Sequence, residues 1–373
     1  MTLKTMYSSK MTSRERMLTA LNRGIPDRLP VTIHQWQPYH LSKYMGGASD
    51  LAAFQQVGLD AAITIWDANT EKTTPRWQME SRTLPLAEGN WRIDTTIHTP
   101  EGILNQQDEA NDKTTWTVDY LIKRPEDMLL VKKYLPVPKL DQEFVRNRKR
   151  ELGESGILRG LVFGEQAGPW QHAASLMGVE KLIMATFDDP GWVHELLESL
   201  TEKKLQFIEQ SLAGAEFDLI EMGGGAASST VISPKIFKEF CLPYDQALHE
   251  ALHRAGHKVV YHTCGGMMAI LELIVENRCD ASETLSPSGV GGDAVPEEIK
   301  RRIGDKVCLI GGMDQVNILS MGTPGQIWAE VHRLFEVLGP GGGYMLSASD
   351  HFFDAPVENL LAYARAGQEC VYA

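Results

Sequence analysis

VVYHTCGG, at residues 259–266, begins as an apolar run and ends in His-x-Cys followed by a glycine pair. The apolar part is typical of a buried parallel strand, and the glycines indicate that the chain turns out of the sheet there. Alternate residues of a strand point to the same side, so His262 and Cys264 can direct an imidazole and a thiolate at one point. Zn²⁺ accepts both ligand types. The stretch therefore predicts two zinc ligands at a strand end, although such residues also occur as plain packing residues.

The rest of the chain alternates between apolar segments and amphipathic stretches. With the His-Cys strand included, there are eight candidate strands: Leu29–Ile33, Ala61–Trp66, Ile157–Phe163, Phe217–Met222, Lys258–Tyr261, Asp280–Leu285, Val307–Ile310 and Gly343–Leu346. This alternation indicates βαβ units and a parallel sheet. Eight such units predict an α/β fold of the (β/α)₈ TIM-barrel type, with residues 1–373 as a single domain. No Gly-x-Gly-x-x-Gly opens a helix after the first strand, which disfavours a dinucleotide-binding fold.

The connection between the second and third predicted strands is too long for a barrel loop. It contains the alternating runs WQMESRTL, WRIDTTIHTPEGILNQQDE and TTWTVDYLIKR, separated by turn residues. We expect residues 68–156 to form an insertion over the barrel mouth, made of a β-meander followed by a charged helix near 140–153. Long ordered insertions in compact enzymes are usually lids or binding surfaces.

Composition excludes several classes of protein. The net charge of −13 over 373 residues argues against a nucleic-acid partner, which requires clustered Lys and Arg. No apolar run is long enough to span a bilayer, and the N-terminus lacks a signal-peptide apolar region. Five cysteines in a long chain are typical of reduced thiols that are available to a metal. We therefore expect a cytoplasmic protein without a membrane partner.

In barrel enzymes the reacting groups lie at the C-terminal ends of the strands. Those positions hold His34, Asp67, Glu165, Glu221, His262, Cys264, Glu283, Asp314 and the segment 347–351. Glu221 ends an apolar strand, where a charge must be paired or liganded; a buried salt bridge and a functional role both remain open. Glu283 could bind the metal or support His262 from behind. His34 and His351 are candidate substrate contacts.

The tryptophans in the first half of the chain and the glycine run at 223–225 can each be explained either by structure or by function. Trp36 and Trp66 belong to a group of tryptophans in the first half of the chain, which could pack the core or line an apolar substrate pocket. The glycine run at 223–225 could hold an anion, but close approach of the backbone is the stronger interpretation.

With these residues identified, the sequence resembles the uroporphyrinogen decarboxylase superfamily over nearly its whole length. The similar stretches are SRERMLTALNRGIPDRLPV, LIEMGGGAASSTVISPKIFKEFCLPYDQALHEALHRAGHKVVYHTCGG, DASETLSPSGVGGDAVPEEIKRRIGDKVCLIGGMDQVNIL and GGGYMLSASDHFFDAPVENLLAYARA. The resemblance implies a (β/α)₈ barrel, in agreement with the strand count. True uroporphyrinogen decarboxylases have an Arg-rich MRQAGR segment, and the equivalent VTIHQWQPYHLSKYMGG lacks it.

The superfamily also contains cobalamin-dependent methyltransferases, whose His-x-Cys holds zinc together with a later Cys. His262 and Cys264 match the first two ligands, but Ser349 stands where the later Cys usually lies. The resemblance then implies that Glu221, Glu283 or His351 completes the site. An oxygen-rich metal shell is a better Lewis acid than a thiolate-rich one.

This branch implies a zinc-dependent methyltransferase that demethylates a small O-methyl or N-methyl substrate, with an aromatic methyl ether as one candidate. The methyl group would pass to the Co(I) corrinoid of a partner protein, because the chain lacks an Asp-x-His-x-x-Gly corrinoid motif. The resemblance is also compatible with a homodimer. The expected residues are listed by role: catalytic Glu221, His34 and Asp67; metal-binding His262, Cys264, Glu283 and Glu221; substrate-binding Trp36, Trp66, His351 and Ser349.

Three alternatives remain. Methyl transfer from methylcobamide to a thiol such as coenzyme M is disfavoured by the absent later Cys. A metal-free decarboxylase would use Asp67 as the pyrrole-binding acid, and the absent Arg-rich segment disfavours it. An accessory barrel that has lost its metal is the third.

Overall fold

The structure is a computed structural model that describes residues 11–164 and 168–372; Glu165 lies outside them. The strands of the described residues, in chain order, are β1 (Ala61–Thr64), β2 (Asn69–Thr70), β3 (Gln78–Pro85), β4 (Trp91–Thr99), β5 (Gly102–Ala110), β6 (Thr115–Asp119), β7 (Lys139–Leu140), β8 (Gly156–Leu161), β9 (Leu219–Gly223), β10 (Val259–His262), β11 (Ala281–Thr284), β12 (Cys308–Met313) and β13 (Tyr344–Ala348). The α-helices of the same residues are α1 (Ser13–Leu21), α2 (Pro38–Tyr44), α3 (Asp50–Val57), α4 (Pro125–Tyr134), α5 (Gln142–Leu152), α6 (Pro169–Met177), α7 (Val179–Asp188), α8 (Pro190–Phe207), α9 (Pro234–Ile236), α10 (Leu242–Arg254), α11 (Leu271–Glu276), α12 (Pro296–Ile303), α13 (Pro324–Leu338) and α14 (Val357–Glu369).

The central element is a parallel sheet, so the protein has the α/β fold that the strand–helix alternation predicts. Seven strands of the described chain form it, in the order β1-β8-β9-β10-β11-β12-β13. Every neighbouring pair in this sheet is parallel. Because helices lie in the crossovers between successive strands, the strands are covered and can be almost entirely apolar.

The predicted first strand, Leu29–Ile33, is wrong as an element, because only Val31 forms a bridge there, to Leu346 of β13. Pro30 has no N–H to donate, and the Val31 N–H donates to the Asp60 carboxylate at 3.1 Å instead of to a strand. The segment is nevertheless hydrogen-bonded on both sides. The Leu346 N–H donates to the Pro30 carbonyl at 2.9 Å, and the Asp60 N–H donates to the Val31 carbonyl at 2.9 Å. It therefore connects the two edge strands of the sheet.

Helix α1 covers the N-terminal end of the sheet. It begins after Thr12, whose hydroxyl accepts from the Glu15 N–H while the Glu15 carboxylate accepts from the Thr12 N–H. This capping box satisfies two of the free N–H groups at the helix start. The apolar side of α1 packs Met17, Ala20 and Leu21 against strand side chains, and all three are buried.

The chain between β1 and β8 contains a separate antiparallel sheet, with the order β3-β4-β5-β6. The turn between β5 and β6 reaches the loop after β13, where Lys113 pairs with Asp354 at 2.9 Å. The sheet therefore lies at the C-terminal end of the parallel strands. Helix α5 follows it at Gln142–Leu152. No helix among the described residues is long and apolar enough to cross a bilayer.

Candidate metal centre

Four neighbouring strands place charged side chains on one face of the parallel sheet. His262 of β10 is in register with Glu283 of β11, and Val260, two residues before His262, is in register with Glu221 of β9. Leu219, two residues before Glu221, is in register with Arg159 of β8. Because alternate residues share a face, Arg159, Glu221, His262 and Glu283 all point to the same side. We call these four residues the polar layer.

The polar layer is buried and internally paired. Arg159 Nη2 donates to Glu221 Oε2 at 2.8 Å and to Glu283 Oε1 at 2.6 Å. No member of the layer exposes more than 2% of its surface. Buried charges are tolerated when they are paired and hydrogen-bonded in this way. Although burial alone would raise the pKa of Glu283, the Arg159 charge and the contact with His262 hold it well below its ordinary value.

His262 has one occupied and one free ring nitrogen. Its Nδ1 lies 3.1 Å from Glu283 Oε1 and donates to it. Its Nε2 is buried and has no hydrogen-bond partner among the described residues. Burial would lower the pKa of His262, but contacts with Cys264 and Glu283 raise it well above its ordinary value. A buried imidazole nitrogen without a partner is suited to a metal ligand.

Cys264 and Asp350 lie close to His262. One ligand atom from each of His262, Cys264 and Asp350 lies within 4.8 Å of the others. Cys264 is half-buried, whereas the other cysteines, all within the described chain, are buried. Nitrogen, sulfur and carboxylate oxygen are the three donor types that zinc accepts, so this group fits a metal ion.

The glycine run at 223–225 gives the backbone close access to this group, as the sequence predicts. A Cβ on Gly225 would lie 2.8 Å from Cys264 Sγ, and one on Gly223 would lie 2.6 Å from the His262 carbonyl oxygen. Gly223 also has φ +97°, which side chains rarely adopt. The glycines therefore make room for the His-Cys segment.

His34 lies between the polar layer and His351. Its Nε2 is 3.5 Å from Glu221 Oε2 and 3.6 Å from Glu283 Oε1, and its ring centroid is 5.2 Å from that of His351. Burial opposes protonation of His34, but the two carboxylates raise its pKa to about 9. Burial and the charge of His34 lower the pKa of His351 to about 4.

Four predicted residues lie outside this group of side chains. Asp67 exposes 68% of its side chain and pairs with Lys72, because β1 ends three residues before it. Trp36 is buried against Phe54 and Phe352. The remaining two are Trp66, which is 45% exposed beside a cavity of about 200 Å³, and Ser349, which is buried and donates to the Met313 carbonyl.

Two residues of the site were not singled out by sequence reasoning. Arg159 stands inside the apolar run GILRGLVF, and a cation there needs buried partners, so the run itself was a usable signal. Asp350 was included only within the segment 347–351. Its neighbour Ser349 is the residue that aligns with the later Cys, and sequence gives no sign of which of two adjacent side chains faces inward.

Comparison with known proteins identifies the family. The family model described as uroporphyrinogen decarboxylase (URO-D) matches residues 142–370, which is more than half of the chain. The chain belongs to this family. The match includes the polar layer, Cys264 and Asp350.

Individual relatives of this family carry two kinds of name. A methylated-thiol–coenzyme M methyltransferase of Methanosarcina mazei is 27% identical over 203 residues, covering 54% of this chain and 51% of that protein. A uroporphyrinogen decarboxylase of Pseudoalteromonas atlantica is 29% identical over 252 residues, covering 62% and 66%. The chain thus spans between half and two thirds of these relatives. A solved structure of a methyltransferase from Methanosarcina mazei shares the fold, with a TM-score of 0.66 at 17% identity, over 96% of this chain and 99% of that one.

Proposed function

We propose that this protein is a zinc-dependent methyltransferase that takes a methyl group from a small O-methyl or N-methyl compound, with an aromatic methyl ether as one candidate. The methyl group passes to the Co(I) corrinoid of a partner protein. The supporting observation is the convergence of His262, Cys264 and Asp350, in a family whose relatives include a methyltransferase. In this proposal the parallel sheet is a (β/α)₈ barrel, and the sheet of β3–β6 lies over its mouth.

We assign the zinc to His262 Nε2, Cys264 Sγ and an Asp350 oxygen, with the fourth position open to substrate. Three protein ligands and an open position are typical of catalytic zinc. Glu283, which the sequence offered as a ligand, has its Oε1 hydrogen-bonded to the far nitrogen of the His262 ring. A carboxylate in that place fixes the ring orientation and raises the basicity of the ligating nitrogen. Glu221 is paired with Arg159 and holds the layer together.

The chemistry follows from the donor set and its position. Bound zinc would supply Lewis acidity to the heteroatom that loses its methyl group. In the proposed reaction that heteroatom would keep the bonding electron pair, and the methyl carbon would be transferred to the Co(I) acceptor. Asp350 in place of a second thiolate makes the donor set harder, which suits this activation of a leaving group. Asp350 exposes 27% of its side chain, so a substrate can reach this edge of the site.

The predicted substrate contacts divide by exposure. Trp66 and His351 reach solvent at the C-terminal end of the sheet, whereas Trp36 and Ser349 are buried and stabilise the surrounding structure. His34 stays in the proposed site through its contacts with the polar layer. Asp67 has no role in this proposal, since it projects into solvent.

Two relatives favour other reactions. The name of the Methanosarcina mazei protein favours a thiol as the methyl acceptor, and the name of the Pseudoalteromonas atlantica protein favours decarboxylation. The first shares the metal requirement and differs in the product, which would be a thioether. Decarboxylation needs neither Cys264 nor zinc, so metal content separates it from both methyl transfers.

The test is zinc content per chain in protein purified without chelator, beside His262→Ala and Cys264→Ala. We expect zinc in the wild type and loss of the His262–Cys264 ion in both variants, because each removes a ligand. Cys279→Ala is the matched control, since Cys279 is buried and its thiol contacts the Ile274 carbonyl. A zinc content that stays at the wild-type value in both ligand variants would overturn the proposal.

A second measurement identifies the reaction. Methylated compounds are supplied with a Co(I) corrinoid acceptor, and methyl-cobalt formation is followed spectroscopically. Demethylation of an ether or amine with zinc-dependent methyl-cobalt formation supports the proposal. Thioether formation from methyl-cobalt and a thiol, or porphyrinogen decarboxylation without zinc, supports the corresponding alternative instead.

A further inference from the structure

We infer that the protein has a second metal site, formed by His34, Asp350 and His351, for a divalent transition ion that prefers nitrogen and oxygen ligands. One ligand atom from each of these residues lies within 4.8 Å of the others. Metal–nitrogen bonds of about 2.0–2.1 Å place tetrahedral ligand atoms about 3.4 Å apart. The three side chains therefore need only small rotations to share one ion.

Each histidine of this site has a buried ring nitrogen without a partner among the described residues. His34 exposes 2% of its surface; its Nε2 faces Glu221 and Glu283 at 3.5 and 3.6 Å, and its Nδ1 has no hydrogen-bond partner in the described chain. The buried His351 Nδ1 likewise has none there. Buried polar atoms without partners are uncommon in native proteins and require an explanation. An ion between the two rings, whose centroids are 5.2 Å apart, supplies one.

Gln35 orients His351 for this role. Its side-chain amide nitrogen lies 3.4 Å from His351 Nε2. With the amide turned over, Gln35 Oε1, which has no partner among the described residues, accepts the Nε2 proton, and Nδ1 presents a lone pair near Asp350, 3.6 Å away. Metal-binding imidazoles commonly hydrogen-bond through the second ring nitrogen. His351 and Asp350 expose 31% and 27% of their side chains, so the site has both an entry path and room for further ligands.

The polar layer is a poorer place for this ion. His34, Glu221, His262 and Glu283 also come within 4.8 Å of one another, but Glu221 and Glu283 already accept hydrogen bonds from Arg159. A dication beside that buried guanidinium would be repelled at low dielectric. The group of His34, Asp350 and His351 instead contains the carboxylate of Asp350 and no arginine.

Asp350 belongs both to this group and to the proposed zinc group with His262 and Cys264. Its two carboxylate oxygens can bridge two ions, as in known two-metal sites. The donor sets differ: the zinc group contains a thiolate, whereas the second group offers two imidazoles and a carboxylate, which suits Zn²⁺, Fe²⁺ or Co²⁺. Because only the zinc group contains a thiolate, thiolate-to-metal absorption distinguishes an ion at that site from an ion at the second site. The second site does not depend on the proposed methyl transfer.

The experiment titrates chelator-treated full-length protein with Co²⁺ and measures bound cobalt after equilibrium dialysis, together with the thiolate-to-cobalt absorption in the near ultraviolet. We expect two bound ions in the wild type, with the thiolate band rising for only one of them. His351→Ala should bind one ion and keep the band. Cys264→Ala should bind one ion and lose the band.

Two further variants complete the design. Asp350→Ala should lose the second ion and weaken the first, whereas His332→Ala, on α13 where its ring stacks on the exposed Trp328, should bind like the wild type. Thermal unfolding checks that each variant is folded. A single wild-type ion that gives the thiolate band, or a second ion that survives His351→Ala, overturns the inference. A single wild-type ion without the thiolate band, lost in His351→Ala, would contradict the zinc proposal and leave this inference standing.

Discussion

Two layers of side chains occupy the same face of the parallel sheet, and their chemistry is opposite. Toward the N-terminal ends of the strands lies an apolar layer that packs on α1: Ala62, Ile157, Leu219, Val260, Ala281, Cys308, Ile310 and Met345. Two residues further along four of these strands stands the polar layer of Arg159, Glu221, His262 and Glu283. The step of two residues is the repeat of a strand, so one sheet face holds both layers without any change in backbone.

The comparison separates two ways of filling the interior. Each fully buried apolar side chain contributes about 1.5–3 kcal/mol by leaving water. The polar layer gains no such term, and its charges are tolerated only through their mutual contacts. We therefore expect the apolar layer to maintain the fold, and the polar layer to be a stability cost that is offset when it supports a bound ion.

The largest effect is expected from Arg159→Met. Arg159 is the one permanently charged cation of the polar layer, because the charge of His262 depends on its protonation. Glu221 and Glu283 would then face each other in a buried space, and we expect the free energy of unfolding to fall by about 3–5 kcal/mol. Urea denaturation measures this loss. Arg124→Met is the matched control, because that guanidinium is 72% exposed and should change stability little. An equally small effect of Arg159→Met would show that the pairing contributes nothing.

The apolar layer is tested by Leu219→Ala. Leu219 is fully buried, so the cavity left behind should lower the free energy of unfolding by about 3 kcal/mol. Metal content per folded chain should stay at the wild-type value, because Leu219 lies one layer below the ligands. If the folded Leu219→Ala protein bound less metal than the wild type, the apolar layer would also affect metal binding. The division of roles between the two layers would then be wrong.

The smallest effect is expected from Glu283→Gln, which keeps the shape of the side chain but removes the charge behind His262. Zinc affinity should weaken about 10–100-fold, or about 1.4–2.7 kcal/mol, with the stoichiometry unchanged. Competition with a chromogenic chelator measures it. Ser282→Ala, the adjacent residue on the opposite face of β11, should leave the affinity unchanged. Equal affinities in both variants would show that Glu283 does not orient the ring.

Sequence reasoning identified the parallel α/β fold because the apolar segments alternate with amphipathic ones at regular intervals. It failed at Leu29–Ile33, where the backbone N–H of Val31 donates to a side chain, Asp60, that is distant in sequence. Strand propensity contains no information on such a contact. The same reasoning placed Asp67 at a strand end, but β1 ends at Thr64, and the extra residues carry Asp67 into solvent.

At the site, His262 and Cys264 were predictable because the motif is local and its geometry follows from the strand repeat. The partners were harder to predict. Arg159, Glu221 and Glu283 meet only because β9 and β11 flank β10, and β8 follows beyond β9, in a particular register, and register is set by the whole sheet. Asp350 follows β13, two strands away from β11, and its approach to Cys264 depends on a loop with no sequence signature.

Helix α1 limits the directions from which ligands can reach the site. Met17, Ala20 and Leu21 pack under the apolar layer at the N-terminal ends of the strands, so the polar layer is covered from that side. In the proposed reaction, metal ions, substrate and methyl acceptor would then all approach from the C-terminal ends of the strands, and a bulky acceptor docked there would block the small substrate. Under the proposed reaction, the small substrate must therefore enter before the acceptor arrives, and its demethylated product leaves only after the acceptor has departed. Under the proposed reaction, three apolar side chains at the far end of the molecule would thus influence the order in which substrate and acceptor bind.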